Sequence, residues 1–235
     1  MKIMIAVLNQ GDIHTNLVKP LLEIQAKTDH ELTFFFSDLK PIDYNRNFIV
    51  DNFLKSDCEL LFMMDSDMVI DENILDMVHP DYDVVSAVVF TCKNGMPYPI
   101  LMKSKGEAYE IMADPTDELT DYTKVGGIGT GCIYIRRSVF EKIKKPYFRF
   151  QYDDSGKITM GEDYSFSKKI IAAGINPYVA TKFIVGHYKM FDVAHVNQLL
   201  YKALTFNKNG IAKTLADRME ISAAQKISQR LKDGN

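Results

Sequence analysis

The 235-residue chain contains no tryptophan and only three cysteines. Cys58, Cys92 and Cys132 are widely spaced, odd in number and never in a CxxC pair, so the usual zinc-binding and dithiol-redox patterns are excluded. They read as reduced, mostly buried thiols of a cytoplasmic protein. Long hydrophobic runs are also missing: no segment approaches the roughly 20 apolar residues of a membrane-spanning helix. The apolar run 3–8 follows Lys2 but stops at Asn9-Gln10-Gly11-Asp12, so it reads as a buried first strand and not as a signal peptide. An excess of positive charge is absent as well. With 28 Lys and Arg against 31 Asp and Glu, the net charge of -3 gives no reason to expect a global nucleic-acid-binding face. No internal repeat or low-complexity tract occurs.

What is present is a chain of 46% hydrophobic residues, enough for one substantial core. Residues 3–8 predict a central strand, 15–26 an amphipathic helix and 31–36 a second strand. A helix over 43–55 and a strand over 59–64 follow, then a strand over 83–90. This alternation predicts an α/β fold, a mostly parallel sheet flanked by helices, with ligands beyond the carboxyl ends of the strands. From 91 to about 122 the pattern weakens, with one expected hairpin (98–102 with 108–112) in what reads as a substrate loop. A glycine-rich segment at 126–131, a strand over 132–135, helices over 138–143 and 163–173 and a strand over 176–181 complete the domain. Residues 193–231 predict a helical tail whose apolar positions, among them Leu199, Ala203, Leu204 and Leu215, recur beside a basic face. The expected division is a domain over 1–190, with halves 1–100 and 101–190, and a C-terminal helical extension over 191–235. Packing of that extension on the domain or self-association into a homo-oligomer is expected.

The strongest local signal is Phe62-Met63-Met64-Asp65-Ser66-Asp67, two carboxylates one residue apart at the end of an apolar strand. Carboxylate oxygens suit hard divalent cations such as Mn²⁺ and Mg²⁺, which in turn neutralise a diphosphate. Capping of the following loop would use the same residues. Asp65-Ser66-Asp67-Met68-Val69 also has the DxDxV form of haloacid-dehalogenase-like phosphatases, with Asp65 as nucleophile. Two strands and two helices precede it here, whereas that motif normally ends the first core strand.

Several elements in order carry a resemblance: Asn45-Arg46-Asn47, Asp65-Ser66-Asp67, the glycines of 126–131 followed by Tyr134-Ile135-Arg136-Arg137-Ser138-Val139-Phe140, then Gly161-Glu162-Asp163, and His187. Over roughly residues 1–190 the chain resembles the GT-A fold glycosyltransferases, in particular the family-2-like branch. The resemblance implies that Asp65 and Asp67 hold a metal under a sugar diphosphate, with Ser66 among the donor contacts. It implies that Arg46 lies near the nucleotide, where a guanidinium suits phosphate or a base edge. Asn9 and Asp38 would contact base and ribose, although both are also ordinary turn residues. Asp163 matches the general base and Glu162 an acceptor-binding or orienting acid, and both are equally good helix caps. His187 matches a third metal ligand, Lys189 would reach a phosphate, and His195 is a weaker candidate ligand. Residues 126–131 would lie beside acceptor and sugar; they lack the ending of a P-loop. Ser165 and Lys169 depart from the family pattern, which bears on acceptor contacts.

The expected activity is metal-dependent transfer of a sugar, most simply UDP-linked, to an acceptor hydroxyl, with inversion and Asp163 as base. The acceptor, whether glycan, protein, small molecule or modified nucleic acid, is not legible. Three other readings stand beside it: the phosphatase, a sugar-1-phosphate nucleotidyltransferase, whose glycine-rich N-terminal motif is missing after Leu8, and an inactive nucleotide-sugar-binding protein.

Overall fold

The computed structural model describes residues 1–93, 96–105, 108–111 and 121–189. Residues 1–189 form one compact unit. The expected helical extension, its oligomerisation face, His195 and the last residue of the expected hairpin, Met112, lie outside the described residues.

The first half follows the predicted alternation: β1 (Lys2–Leu8), α1 (Thr15–Lys27), β2 (Glu31–Ser37), α2 (Ile42–Lys55) and β3 (Leu60–Asp65). Two short elements follow, β4 (Met68–Val69) and a 3₁₀ turn over Ile74–Met77, before the long β5 (Val84–Lys93). Next come β6 (Met96–Pro99), β7 (Leu101–Lys105), β8 (Ala108–Ile111), β9 (Tyr122–Lys124), β10 (Gly127–Ile128) and β11 (Cys132–Arg136). The unit closes with α3 (Arg137–Lys142), β12 (Gln151–Tyr152), β13 (Ile158–Met160), α4 (Glu162–Ala172) and β14 (Tyr178–His187).

The main sheet has the order β2-β1-β3-β11-β5-β14-β4. β1 runs parallel to β2 and β3, and β14 runs parallel to β5. Because β11 is antiparallel to both β3 and β5, those five long strands share one direction and β11 opposes them. The carboxyl ends of β1, β2, β3 and β14 therefore meet on one edge, where the candidate residues lie.

Strand alternation divides the core into two layers. Met4, Ala6 and Leu8 of β1, with Leu61 and Met63 of β3, face the layer that contains Ile49, Val50 and Phe53 of α2 and Phe166 and Ile170 of α4. Ile3, Ile5 and Val7, with Phe62 and Met64, face the layer that contains Leu17, Leu21 and Ile24 of α1. Burial on both faces turns β1 and β3 into near-continuous apolar runs, which is why the sequence declares them so clearly.

Two expectations are corrected. Tyr98 does not open the hairpin; it lies in β6, paired with Thr91 of β5, and the hairpin joins β7 to β8. The last strand extends to His187, with a register irregularity between Ala180 and Ile184 that interrupts its periodicity.

Candidate functional site

The acidic turn is held by backbone bonds from three directions. Asp65 N–H donates to Gly131 O at 2.9 Å, Ser66 N–H to Leu8 O at 2.8 Å and His14 N–H to Ser66 O at 3.1 Å. Tyr188 N–H donates to Asp67 O at 2.9 Å. The two acids then diverge. Asp65 Oδ1 accepts from Arg46 Nη2 at 3.1 Å, whereas Asp67 Oδ2 faces His187 Nε2 at 3.1 Å and Lys189 Nζ at 2.9 Å.

His187 reaches Asp67 because β4 pairs antiparallel with the end of β14, Met68 opposite His187 and Val69 opposite Gly186. Gly186 permits that approach: a Cβ there would lie 2.9 Å from Val69 Cβ. His187 Nδ1 is 2.8 Å from Phe90 O. A carbonyl can only accept, so Nδ1 carries a proton there, while Nε2 lies at hydrogen-bond distance from the Asp67 carboxylate. Burial works against the Asp67 charge, but hydrogen bonds from His187 and Lys189 outweigh it and bring the carboxyl down to about 2. These donors fit a hard or borderline divalent cation. Among the described residues no group of three His, Cys, Asp or Glu side chains is arranged to hold a metal ion, and Asp65 is paired with Arg46.

Arg46 is buried. Its side chain is 2% exposed and gives its donors to Asp65, to Thr130 O at 3.2 Å and, through Nε, to Glu162 Oε1 at 3.4 Å. Burial opposes its charge, the Asp65 and Glu162 carboxylates more than compensate, and its pKa is raised. A buried guanidinium thus ties α2, the acidic turn, the glycine-rich segment and the first turn of α4 together. The signal for this was available: Arg46 lies on the helix stripe of Ile49, Val50 and Phe53, which all point inward.

Glu162 and Asp163 form the first turn of α4, where acids oppose the helix dipole. Glu162 is buried against Arg46. Asp163 is part-buried, and its Oδ1 accepts from Tyr164 N–H at 2.7 Å. Burial, reinforced by the neighbouring Glu162 charge, pushes its carboxyl up to about 6. A Cβ on Gly161 would lie 2.8 Å from Asp163 Oδ1, so the glycine makes room for the carboxylate. Residues 126–131 are buried throughout, Gly127 and Ile128 pairing with Met102 and Leu101. Their Thr130 and Gly131 carbonyls serve Arg46 and Asp65.

At the ends of β1 and β2, Asn9 Oδ1 accepts from Gly11 N–H at 2.9 Å and Asn9 Nδ2 donates to Ser37 O at 3.3 Å. Asp38 is exposed beside them. The structure thus brings Asp65, Ser66, Asp67, His187 and Lys189 together and joins Glu162 to them through Arg46, with Asn9 and Asp38 farther along the same edge. Sequence reasoning missed His14 and Tyr188, whose rings stack at 3.7 Å beside the acidic turn.

No protein-family model and no curated protein sequence matches the chain. Among solved structures, A197 from STIV is similar at 20% identity and a TM-score of 0.54, over 81% of this chain and 87% of that one. GalNAc-T7, solved with UDP, GalNAc and Mn²⁺, aligns at 12% identity and a TM-score of 0.46, over 81% of this chain and 44% of its own. The catalytic domain of Drosophila β1,4-galactosyltransferase 7, in complex with xylobiose, aligns at 14% and 0.46, over 81% and 72%. At 20% identity the likeness to A197 is one of fold. The described unit carries an α/β fold, a mostly parallel sheet flanked by helices. No helix among its described residues is long and apolar enough to cross a membrane.

Proposed function

We propose that the chain is a metal-dependent glycosyltransferase that uses a nucleoside diphosphate sugar, most simply a UDP-sugar, as donor. The observation that carries this reading is the convergence of Asp67 Oδ2 and His187 Nε2 at 3.1 Å on the carboxyl edge of the sheet. Asp67 and His187 would hold Mn²⁺ or Mg²⁺, with Asp65 and Ser66 completing the acidic turn. The bound cation would neutralise the diphosphate leaving group. Lys189, 2.9 Å from Asp67, adds a positive charge that a phosphate can use. Asn9 and Asp38 offer polar atoms for the nucleoside at the next strand ends.

Asp163 supplies the general base. Its carboxyl, raised to about 6, is ionised at neutral pH yet basic enough to accept a hydroxyl proton. As the acceptor oxygen bonds the anomeric carbon and the bond to the diphosphate breaks, that proton passes to Asp163. Displacement in one step inverts the anomeric centre. Glu162, clamped by Arg46, keeps a second negative charge beside Asp163 and so maintains its basicity. Residues 1–100 would contribute the donor and metal half and 101–190 the acceptor half, with 191–235 as an extension. The phosphatase reading is disfavoured because Asp65, its nucleophile, is engaged by the buried Arg46.

The test is donor hydrolysis across a panel of nucleotide sugars with and without Mn²⁺. Metal-dependent release of nucleoside diphosphate is expected for at least one donor; release from none, with clean phosphatase turnover, contradicts the reading.

A further inference from the structure

His14 and Tyr188 are 174 positions apart in sequence, yet their rings stack with centroids 3.7 Å apart and planes 21° apart. Each belongs to one side of the acidic turn. His14, the N-cap of α1, donates its backbone N–H to Ser66 O at 3.1 Å, and Tyr188 donates its own to Asp67 O at 2.9 Å. A third tie joins them: Asn16 Nδ2 donates to the Tyr188 hydroxyl, while His14 Nδ1 accepts from Asn16 N–H at 3.2 Å. The turn is thus gripped from the β1–α1 loop and from the end of β14, and the ring stack couples the two grips.

The geometry points to His14 and Tyr188 as positioning residues that hold the Asp65-Ser66-Asp67 turn in register for its ligand, a divalent cation with a nucleoside diphosphate. Neither ring needs to touch that ligand. The two backbone bonds fix the carbonyls of Ser66 and Asp67, and with them the direction of the Asp67 carboxylate. Stacked rings attract each other beyond what their burial alone supplies. Tyr188 remains 41% exposed and belongs to neither core layer, so removing its ring affects the turn more than the fold. Tyr188 is also the chain neighbour of both His187 and Lys189, whose side chains face Asp67. The inference rests on the reading of Asp67 as a metal ligand, but its effect on the turn can be measured without metal.

Two measurements on the parent, Tyr188→Leu and Tyr188→Phe test it. In the metal-free proteins, exchange of the amide hydrogens at positions 14 and 188, which donate to the Ser66 and Asp67 carbonyls, is expected to rise at least tenfold in Tyr188→Leu and to stay near parental in Tyr188→Phe, which keeps the stack. Calorimetric titration of UDP in the presence of Mn²⁺ is expected to show a tenfold or greater loss of affinity in Tyr188→Leu, a less than threefold loss in Tyr188→Phe, and no change in metal-free UDP binding. Parental exchange at these amides in Tyr188→Leu overturns the inference, as does an equal loss of affinity in both variants. A parent that shows no Mn²⁺-dependent UDP binding overturns the metal-ligand reading itself, whatever the exchange data show, and the assigned ligand falls with it.

Discussion

Arg46 Nη2 donates to Asp65 Oδ1 at 3.1 Å from the buried face of α2, and this bond separates the two acids of the turn into different tasks. Asp65 anchors the turn to the core, and Asp67 is left to face His187 and Lys189.

The first prediction follows from that anchor. In Asp65→Asn, the buried guanidinium loses one of its two ionised partners and keeps Glu162 alone. Weakening a buried charge pair in this way is expected to cost about 1–3 kcal/mol, less than complete removal of a partner because Asn retains an acceptor. Urea unfolding checks it: the transition should stay cooperative with a lower midpoint. A loss below about 0.5 kcal/mol, the range of an ordinary surface change, contradicts the anchoring role.

Asp163→Asn should separate stability from turnover. A carboxyl whose folded-state pKa is raised binds its proton more tightly in the folded state than in the unfolded one. Its ionisation therefore destabilises the fold progressively as pH rises from about 4 to about 6, and the penalty is complete above that. Asn cannot ionise, so the variant should be more stable than the parent at pH 7 by about 3 kcal/mol, and the gain should vanish below pH 4. Transfer should fall by about 10²-fold or more, and the parental rate should rise with pH through about 6. Thermal unfolding at pH 4 and 7, with a pH–rate profile, checks both; a variant no more stable at pH 7 than at pH 4, relative to the parent, contradicts the burial argument.

Gly161→Ala places a methyl group 2.8 Å from Asp163 Oδ1. The carboxylate must rotate away, so turnover should drop at least tenfold while UDP affinity stays within about threefold of the parent, since a misplaced base costs rate and not donor binding. Steady-state kinetics read this as a change in kcat with donor KM preserved. Unchanged kcat would mean that the observed Asp163 position is not the one used in transfer.

Much of this was legible in the sequence, for identifiable reasons. β1 and β3 are buried on both faces and so read as unbroken apolar runs, and Asp65 and Asp67 stand out because acids end such a run. Glu162 and Asp163 were legible as acids opening a helix. The inward direction of Arg46 was encoded in its three- and four-residue spacing from Ile49 and Val50, but its charge suggested a ligand contact instead. β4, β12 and β13 are two or three residues long, too short to establish a period. The His14–Tyr188 stack is a long-range contact between the two ends of the described unit, and no local pattern announces it.

The most direct test of the central claim is the binding of UDP to the parent and to Asp67→Asn with and without Mn²⁺, followed by thermal unfolding. Ligand held at about 100 times its dissociation constant should stabilise the folded parent by about 2.7 kcal/mol. The account predicts that this shift requires Mn²⁺ in the parent and disappears in Asp67→Asn. An equal shift with and without Mn²⁺, or an undiminished one in Asp67→Asn, would contradict it.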